Sequence, residues 1–271
     1  FNFAAEIAEI VPTQAIASLV GIPREKFPIF DSLAYGVVRG INPMLTPEER
    51  KDAIKGVPEG LDLLNELIDE RRVNPGDDFL STLILAEDEG SKLSNLEMCA
   101  LVGAVLGAGS DTAVDLHSYL IKNLLQHPEQ YDALMADSNL VQGAISETLR
   151  YESSGKTGLA RYASEDIDLQ GHQVKKGQMV QLITSTAGMD PLIYSNPEKF
   201  DIQRDHDKSI SFGQGPHYCI GVTLVRSQTE VMLQELFKRF PQLTLGNEIA
   251  YDYHHHNARR MDVMMVNTNL T

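Results

Sequence analysis

Tryptophan is absent from this 271-residue chain, and only two cysteines, Cys99 and Cys219, occur in it. Two thiols make at most one bridge, which excludes the disulfide framework of a small secreted domain. Basic residues are scarce too: 23 Lys and Arg stand against 38 Asp and Glu, a net charge of −15. With no basic block anywhere, that balance is the reverse of a nucleic-acid footprint, and no nucleic-acid partner is expected. No apolar run reaches the length of about 18 residues that a bilayer core demands, so no membrane span is expected. The first thirty residues lack the layout of a signal peptide, and a cytoplasmic protein is expected.

What is present is mostly helical patterning. An apolar stretch, Val11 to Val20, stops at Gly21-Ile-Pro23. Thr46 and Pro47 are a cap and a first-turn proline for a helix running to Arg72, broken by Asn74-Pro-Gly76. A short helix follows over 77–87. Ser94-Asn-Leu-Glu97 is a capping box, and helical spacing continues behind it to Gln126. At 1.5 Å per residue such a helix is about 48 Å long and must cross the molecule. Pro128 to Ala136 and Leu140 to Tyr151 are two more helices.

After residue 152 the texture changes. Leu159–Tyr162, Ile167–Leu169 and 179–183 are short strand-like runs, with turns at Gly171 and Lys176-Gly177. Residues 188–218 are rich in Pro, Gly, Asp and Asn and lack periodicity, which in a compact domain marks a functional loop. A last helix spans Ile220 to Phe240. The fold class expected is mainly α with a small β portion. The expected organisation is one domain over 1–271: helical 1–152, β-rich and Cys-loop region 153–219, final helix and C-terminal strands 220–271.

Within the irregular region lies Phe212-Gly-Gln-Gly-Pro-His-Tyr-Cys-Ile-Gly221. A lone thiolate that ligates a metal must sit on a loop that lets backbone approach the sulfur. Glycine permits that approach, having no Cβ and tolerating positive φ. The loop should feed a helix N-terminus, whose partial positive charge favours an anionic sulfur. Gly213, Gly215 and Gly221 around Cys219, with a helix following, meet each need, and the geometry suits an axial haem ligand. Two other readings fit less well. A dinucleotide fingerprint needs a third glycine at another place and a βαβ setting, and zinc needs more ligands than one His-x-Cys supplies. Cys99, near the start of the long helix, is expected to be a buried small hydrophobe.

Phe-Gly-x-Gly-x-His-x-Cys-x-Gly resembles the haem-binding signature of the cytochrome P-450 superfamily in its bacterial, soluble form. Other residues match the family's pattern in order and spacing. Glu147-Thr-Leu-Arg150 resembles its Glu-x-x-Arg, and Arg204 the arginine completing that ion-pair network. Ala108-Gly-Ser-Asp-Thr112 resembles its mid-helix segment over the haem. The resemblance implies the cytochrome P-450 fold and haem b with Cys219 as iron ligand. It places Phe212, Gly213, Gly221, His217, Arg161 and Ala108 around the cofactor. Asp111 and Thr112 would relay protons, and Leu101, Val105, Gly158 and Leu159 would line the substrate pocket beside residues 156 and 157. The activity implied is a monooxygenase that activates dioxygen to hydroxylate or epoxidise an apolar small molecule. A ferredoxin or similar electron donor would dock near Lys208, Arg226 and His206. A peroxygenase of the same fold, and a catalytically silent haem-binding or interaction module, are the alternatives. The matched pattern begins well inside the family fold, so roughly a third of a family chain is expected to lie outside this sequence. His254-His-His256 is expected to be solvated surface, because alternating faces of a strand make a poor chelate.

Overall fold

The structure, a computed structural model, describes residues 1–42, 44–86, 92–153, 158–252 and 260–268. A five-residue π-helical turn, Ala4–Ala8, leads into α1 (Ile10–Val20), which closes on Gly21 in the left-handed conformation. Helix α2 (Phe27–Gly40) follows, although no element between Pro23 and Thr46 is evident from sequence. Its buried Phe30, Leu33, Ala34 and Val38 share one face at helical spacing.

The single helix expected from Pro47 to Arg72 is instead α3 (Pro47–Ala53), a 3₁₀ turn (Ile54–Gly56) and α4 (Val57–Val73). Pro58 explains the break: it lacks an N–H, and its ring opposes the carbonyl four residues back. Thr46 makes a full capping box with Glu49, and Asp78 caps α5 (Phe79–Leu85) through Ser81 N.

Helix α6 (Asn95–Gln126) runs its 32 residues without interruption behind the Ser94–Glu97 box. It is long and apolar enough to cross a membrane by length and composition, which corrects the expectation that no stretch reaches that size. Its apolarity is used inside the protein. Met98, Cys99, Val102 and Leu106 pack into one core with α1, α2, α4 and α5. Val114, Leu116, Leu120 and Leu124 pack into a second with α7 (Pro128–Ala136), α8 (Val141–Tyr151) and the last helix and hairpin. Cys99 is buried as expected, and burial pushes its thiol pKa up.

Three two-stranded antiparallel sheets follow: β1 (Leu159–Tyr162) with β4 (Met179–Leu182), β2 (Ile167–Leu169) with β3 (His172–Val174), and β5 (Leu243–Asp252) with β6 (Arg260–Thr268). β3 is not evident from sequence as a strand. Leu169 pairs His172 across the two-residue loop Gln170-Gly171, both at positive φ, and that turn creates its partner. One turn of helix, α9 (Thr184–Ala187), precedes the irregular segment, and α10 (Val222–Arg239) follows it. His254, His255 and His256 lie outside the described residues.

His117, on the buried face of α6, sits with Nε2 2.9 Å from Thr229 Oγ1 of α10. Thr229 spends its own proton on the Val225 carbonyl, so His117 is the donor and its Nδ1 is left without a partner. Burial pushes its pKa from 6.5 down to about 3. The unfolded chain takes up this proton near its ordinary pKa and the folded chain does not. Stability therefore falls as pH drops from about 6.5 toward 3. In urea titrations at stepped pH, His117→Gln is expected to flatten that loss across the same window; an unchanged slope contradicts it.

Candidate functional site

Glu147 and Arg150 lie one turn apart on the inner face of α8, their side chains 0% and 1% exposed. Arg150 Nε donates to Glu147 Oε2 at 2.7 Å and Nη2 to Oε1 at 2.8 Å, two parallel charge-assisted bonds. The rest of the guanidinium is spent on backbone. Nη1 donates to the carbonyls of Gly188 and Pro197, both at 2.7 Å, and Nη2 to Lys199 at 3.1 Å. Glu147 Oε1 also accepts Asp201 N at 2.8 Å and Arg204 Nε at 3.3 Å. Arg204 in turn donates to the carbonyls of Ser195, Asn196 and Lys199. Segment 188–204 contains no strand or helix; its turns bond a few of its own N–H groups, and two guanidinium groups take up five of its carbonyls. Contact is close enough that a Cβ on Gly143 would sit 2.1 Å from the Ile202 carbonyl. His206 Nε2 lies 3.6 Å from Glu147 Oε2. Burial lowers its pKa against the pull of Glu147, with Arg150 and Arg204 adding to the lowering.

The cysteine loop follows this clamp. Gly213 and Gly215 hold φ of 74° and 69°, where a side chain would strain the backbone. These turns bring Cys219 N to 2.9 Å from the Phe212 carbonyl. Gly221 precedes α10 with no side-chain cap, and a Cβ there would lie 3.9 Å from Cys219 Sγ. The half-buried, free thiol thus stands beside the first turn of a helix. His217 is exposed on a 3₁₀ turn (Gly215–His217). Arg161 is exposed on β1, bonded to its neighbour's carbonyl at Ala160. Neither forms an ion pair among the described residues.

On α6, Val102 and Leu106 are fully buried, while Leu101, Ala104, Ala108 and Thr112 form an open stripe with Val105 half-buried at its edge. Thr112 Oγ1 donates to the Ala108 carbonyl at 2.8 Å, the backbone bond its place in the helix suggests. Asp111 faces elsewhere: Arg260 Nη1 is 3.0 Å from its Oδ1, and Arg260 Nη2 is 2.6 Å from Glu9. Burial opposes charge on Arg260, but Glu9 and Asp111 outweigh it and the pKa rises. Both residues line a cavity of about 510 Å³ between α1, α2 and α6 that includes no residue of the cysteine loop. Gly158 opens β1 against the Leu182 carbonyl, and Leu159 is 46% exposed. Lys156 and Thr157 lie outside the described residues.

The structure therefore brings Glu147, Arg150 and Arg204 into one cluster, and Phe212, Gly213, Cys219 and Gly221 into one loop. Among the described residues, no hydrogen bond or ion pair joins that loop to Thr112, Arg161 or Leu159. Two of the three charges expected to greet an electron donor are turned inward. Arg226 bonds Gln142 and Ser146 of α8, and His206 faces Glu147, which leaves Lys208 exposed. Arg260 is not evident from sequence, since the hairpin that carries it to Asp111 is a tertiary feature.

The donor set suits a haem: one sulfur for the iron, Arg161 and His217 as exposed donors outside any ion pair among the described residues, and an apolar stripe on α6. No cluster of three metal-ligating side chains occurs among the described residues. Loop, clamp and long helix together make this a mainly helical protein whose half-buried thiol closes a clamped, irregular segment.

The chain belongs to the cytochrome P450 family, whose family model matches residues 41–249. It is 37% identical over 258 residues to the epothilone C/D epoxidase of Sorangium cellulosum, covering 94% of this chain and 62% of that protein. It is 34% identical over 242 residues to the polyketide biosynthesis cytochrome P450 PksS of Bacillus subtilis, covering 88% of this chain and 58% of PksS. The solved structure of epothilone D-bound cytochrome P450epoK superposes with a TM-score of 0.90 at 36% identity, over 100% of this chain and 68% of that one. The chain thus spans about 60% of the length of the curated relatives it matches. Proteins of this family normally bind haem.

Removing one partner of the clamp leaves the other charge buried. Arg150→Met or Glu147→Gln is expected to cost about 3–5 kcal/mol in urea unfolding, while Arg239→Ala, at an exposed i,i+4 pair, costs about 1 kcal/mol or less. Equal effects at the two pairs contradict this account.

Proposed function

We propose that this chain is the haem-side portion of a monooxygenase that hydroxylates or epoxidises an apolar small molecule with dioxygen. Cys219, presented by a glycine-shaped loop at the mouth of α10, is the observation that carries the reading. Bound haem b supplies the chemistry of dioxygen reduction, to which a thiolate ligand contributes electron density. The protein's own groups hold and order that chemistry.

Cys219 Sγ would hold the haem iron, presented by the bond from its own N–H to the Phe212 carbonyl and by the approach that Gly213, Gly215 and Gly221 allow. Arg161 and His217 would hold the carboxylates of that group, a task suited to a planar guanidinium fork and an imidazole N–H. Ala108, small and on the open stripe of α6, leaves room for the macrocycle. Leu101, Val105, Gly158 and Leu159 offer apolar contact to substrate and exclude water from it. Relatives named as an epothilone epoxidase and a polyketide biosynthesis enzyme support a small-molecule substrate.

Proton supply falls to Thr112 and Asp111. The Thr112 hydroxyl is held on the Ala108 carbonyl and donates outward once it rotates from that bond. Asp111 is held as a carboxylate by Arg260, so it would have to leave that pair and take up a proton from water before passing one to Thr112 Oγ1. Electrons come from a separate ferredoxin-type donor, and a cytoplasmic setting goes with such a partner. A second reading, peroxide-driven oxygenation on the same fold, draws on the same ion pair, since a peroxide user needs no relay.

Reduced-CO difference spectroscopy of the haem-loaded chain is expected to show a thiolate-type Soret band. Cys219→Ser should abolish it with circular dichroism unchanged, and a folded parent with no such band overturns the assignment. Thr112→Ala is expected to lower product per electron delivered by about tenfold or more with a ferredoxin system, and to leave peroxide-driven turnover in place. Equal losses in the two assays remove Thr112 from the relay.

A further inference from the structure

We propose that Arg226 is a positioning residue for the axial thiolate: it fixes the Phe212 ring, and through Phe212 the turn that presents Cys219. Three observations connect in series. The Arg226 guanidinium carbon lies 5.5 Å from the centre of the Phe212 ring, in cation–π range. Arg226 Nη1 donates to Gln142 Oε1 at 3.2 Å and Nη2 to Ser146 Oγ at 3.4 Å, both on α8. The Phe212 carbonyl accepts the Cys219 N–H at 2.9 Å. The helix that carries the Glu147–Arg150 clamp thus reaches the cysteine by a second route, through a side chain of α10 stacked on the loop.

Arg226 does not behave as a solvated surface cation. Its Nε is buried and has no hydrogen-bond partner, a cost that turning outward to water would relieve. Gln142 is itself held from the other side, its Nε2 donating to Glu230 Oε2 at 3.2 Å. The fork therefore meets a fixed acceptor, and its flat face is left for the aromatic ring. Lysine, a point charge without the planar fork, reproduces neither half of this arrangement.

The functional consequence rests on Cys219 being the haem ligand, but the tether is testable without haem. In a Cys99→Ser background the thiol of Cys219 is the sole one in the chain, and its alkylation rate in folded, haem-free protein reports how often the loop opens. Arg226→Ala is expected to raise that rate about fivefold, the scale of a cation held on an aromatic face. Phe212→Leu should raise it similarly, and the double variant no further than either alone, while Arg226→Lys falls between parent and Arg226→Ala. A through-space charge effect acts in the other direction, since losing a cation disfavours the thiolate and slows alkylation. A slowed rate, a rate within twofold of the parent, or effects that multiply in the double variant overturn the proposal. If Arg226→Ala does not fold, Arg226→Lys and Phe212→Leu carry the same comparison.

With haem added, reduced-CO spectra should show a larger thiol-type fraction in Arg226→Ala than in the parent; an equal fraction in both likewise overturns the proposal. A parent without haem uptake defeats the functional reading while the alkylation rates still decide the tether. A parent with a normal thiolate band and unmoved alkylation rates defeats the tether alone.

Discussion

The Glu147–Arg150 pair is the constraint on which the rest of this structure hangs. A bare ion pair in a protein interior costs more in lost hydration than its attraction returns, unless further hydrogen bonds complete it. Here they do, because the carbonyls of Gly188, Pro197 and Lys199 and the amide of Asp201 converge on the pair. The relation is mutual. The irregular segment supplies what the charges lack, and the charges supply what a segment without secondary structure lacks. Arg204 extends the same exchange over three more carbonyl bonds. Segment 188–204 is thereby held by two guanidinium groups, and the cysteine loop starts eight residues beyond it.

Helix α6 organises the other side. Its N-terminal half packs among α1, α2, α4 and α5, and its C-terminal half among α7, α8, α10 and the last hairpin. Residues 107–112 lie where one core gives way to the other, and there the helix shows Ala108 and Thr112 on an open face and Asp111 to the cavity it shares with Arg260. Apolar surface left open on a core helix is costly in water, and a flat apolar cofactor is the kind of ligand that removes it. The Asp111–Arg260 pair turns the acid away from that face. In the proposed chemistry this makes proton delivery conditional on breaking an ion pair.

Much of the fold was legible in sequence, where the signals are local. The Ser94–Glu97 capping box, the Thr46 cap, the stop at Gly21, and the ends of α6, α7, α8 and α10 follow from residues that act within one turn of themselves. The places where reading fell short depend on less local effects. α2 shows its apolar face once a neighbour is present to receive it. The break at Ile54–Gly56 follows from a proline inside an otherwise continuous pattern. The apolarity of α6 is spread among charges, so its membrane-like composition escapes a search for unbroken runs.

The site divides the same way. Sequence by itself determined the chemistry on offer: a thiol between glycines at a helix mouth, and an acid and a base one turn apart on α8. Those assignments depend on residue identity and spacing along a single element, which covalent geometry and the helical period determine. Tertiary structure decided where each charge is spent. Arg150 and Arg204 are spent on backbone carbonyls, Asp111 on Arg260 from a hairpin 149 residues away, and Arg226 on an aromatic ring in place of a partner's surface. A charged side chain reaches several ångströms in any direction, and its partner is whichever group folding leaves there short of a hydrogen bond. No period or motif in the sequence records that outcome.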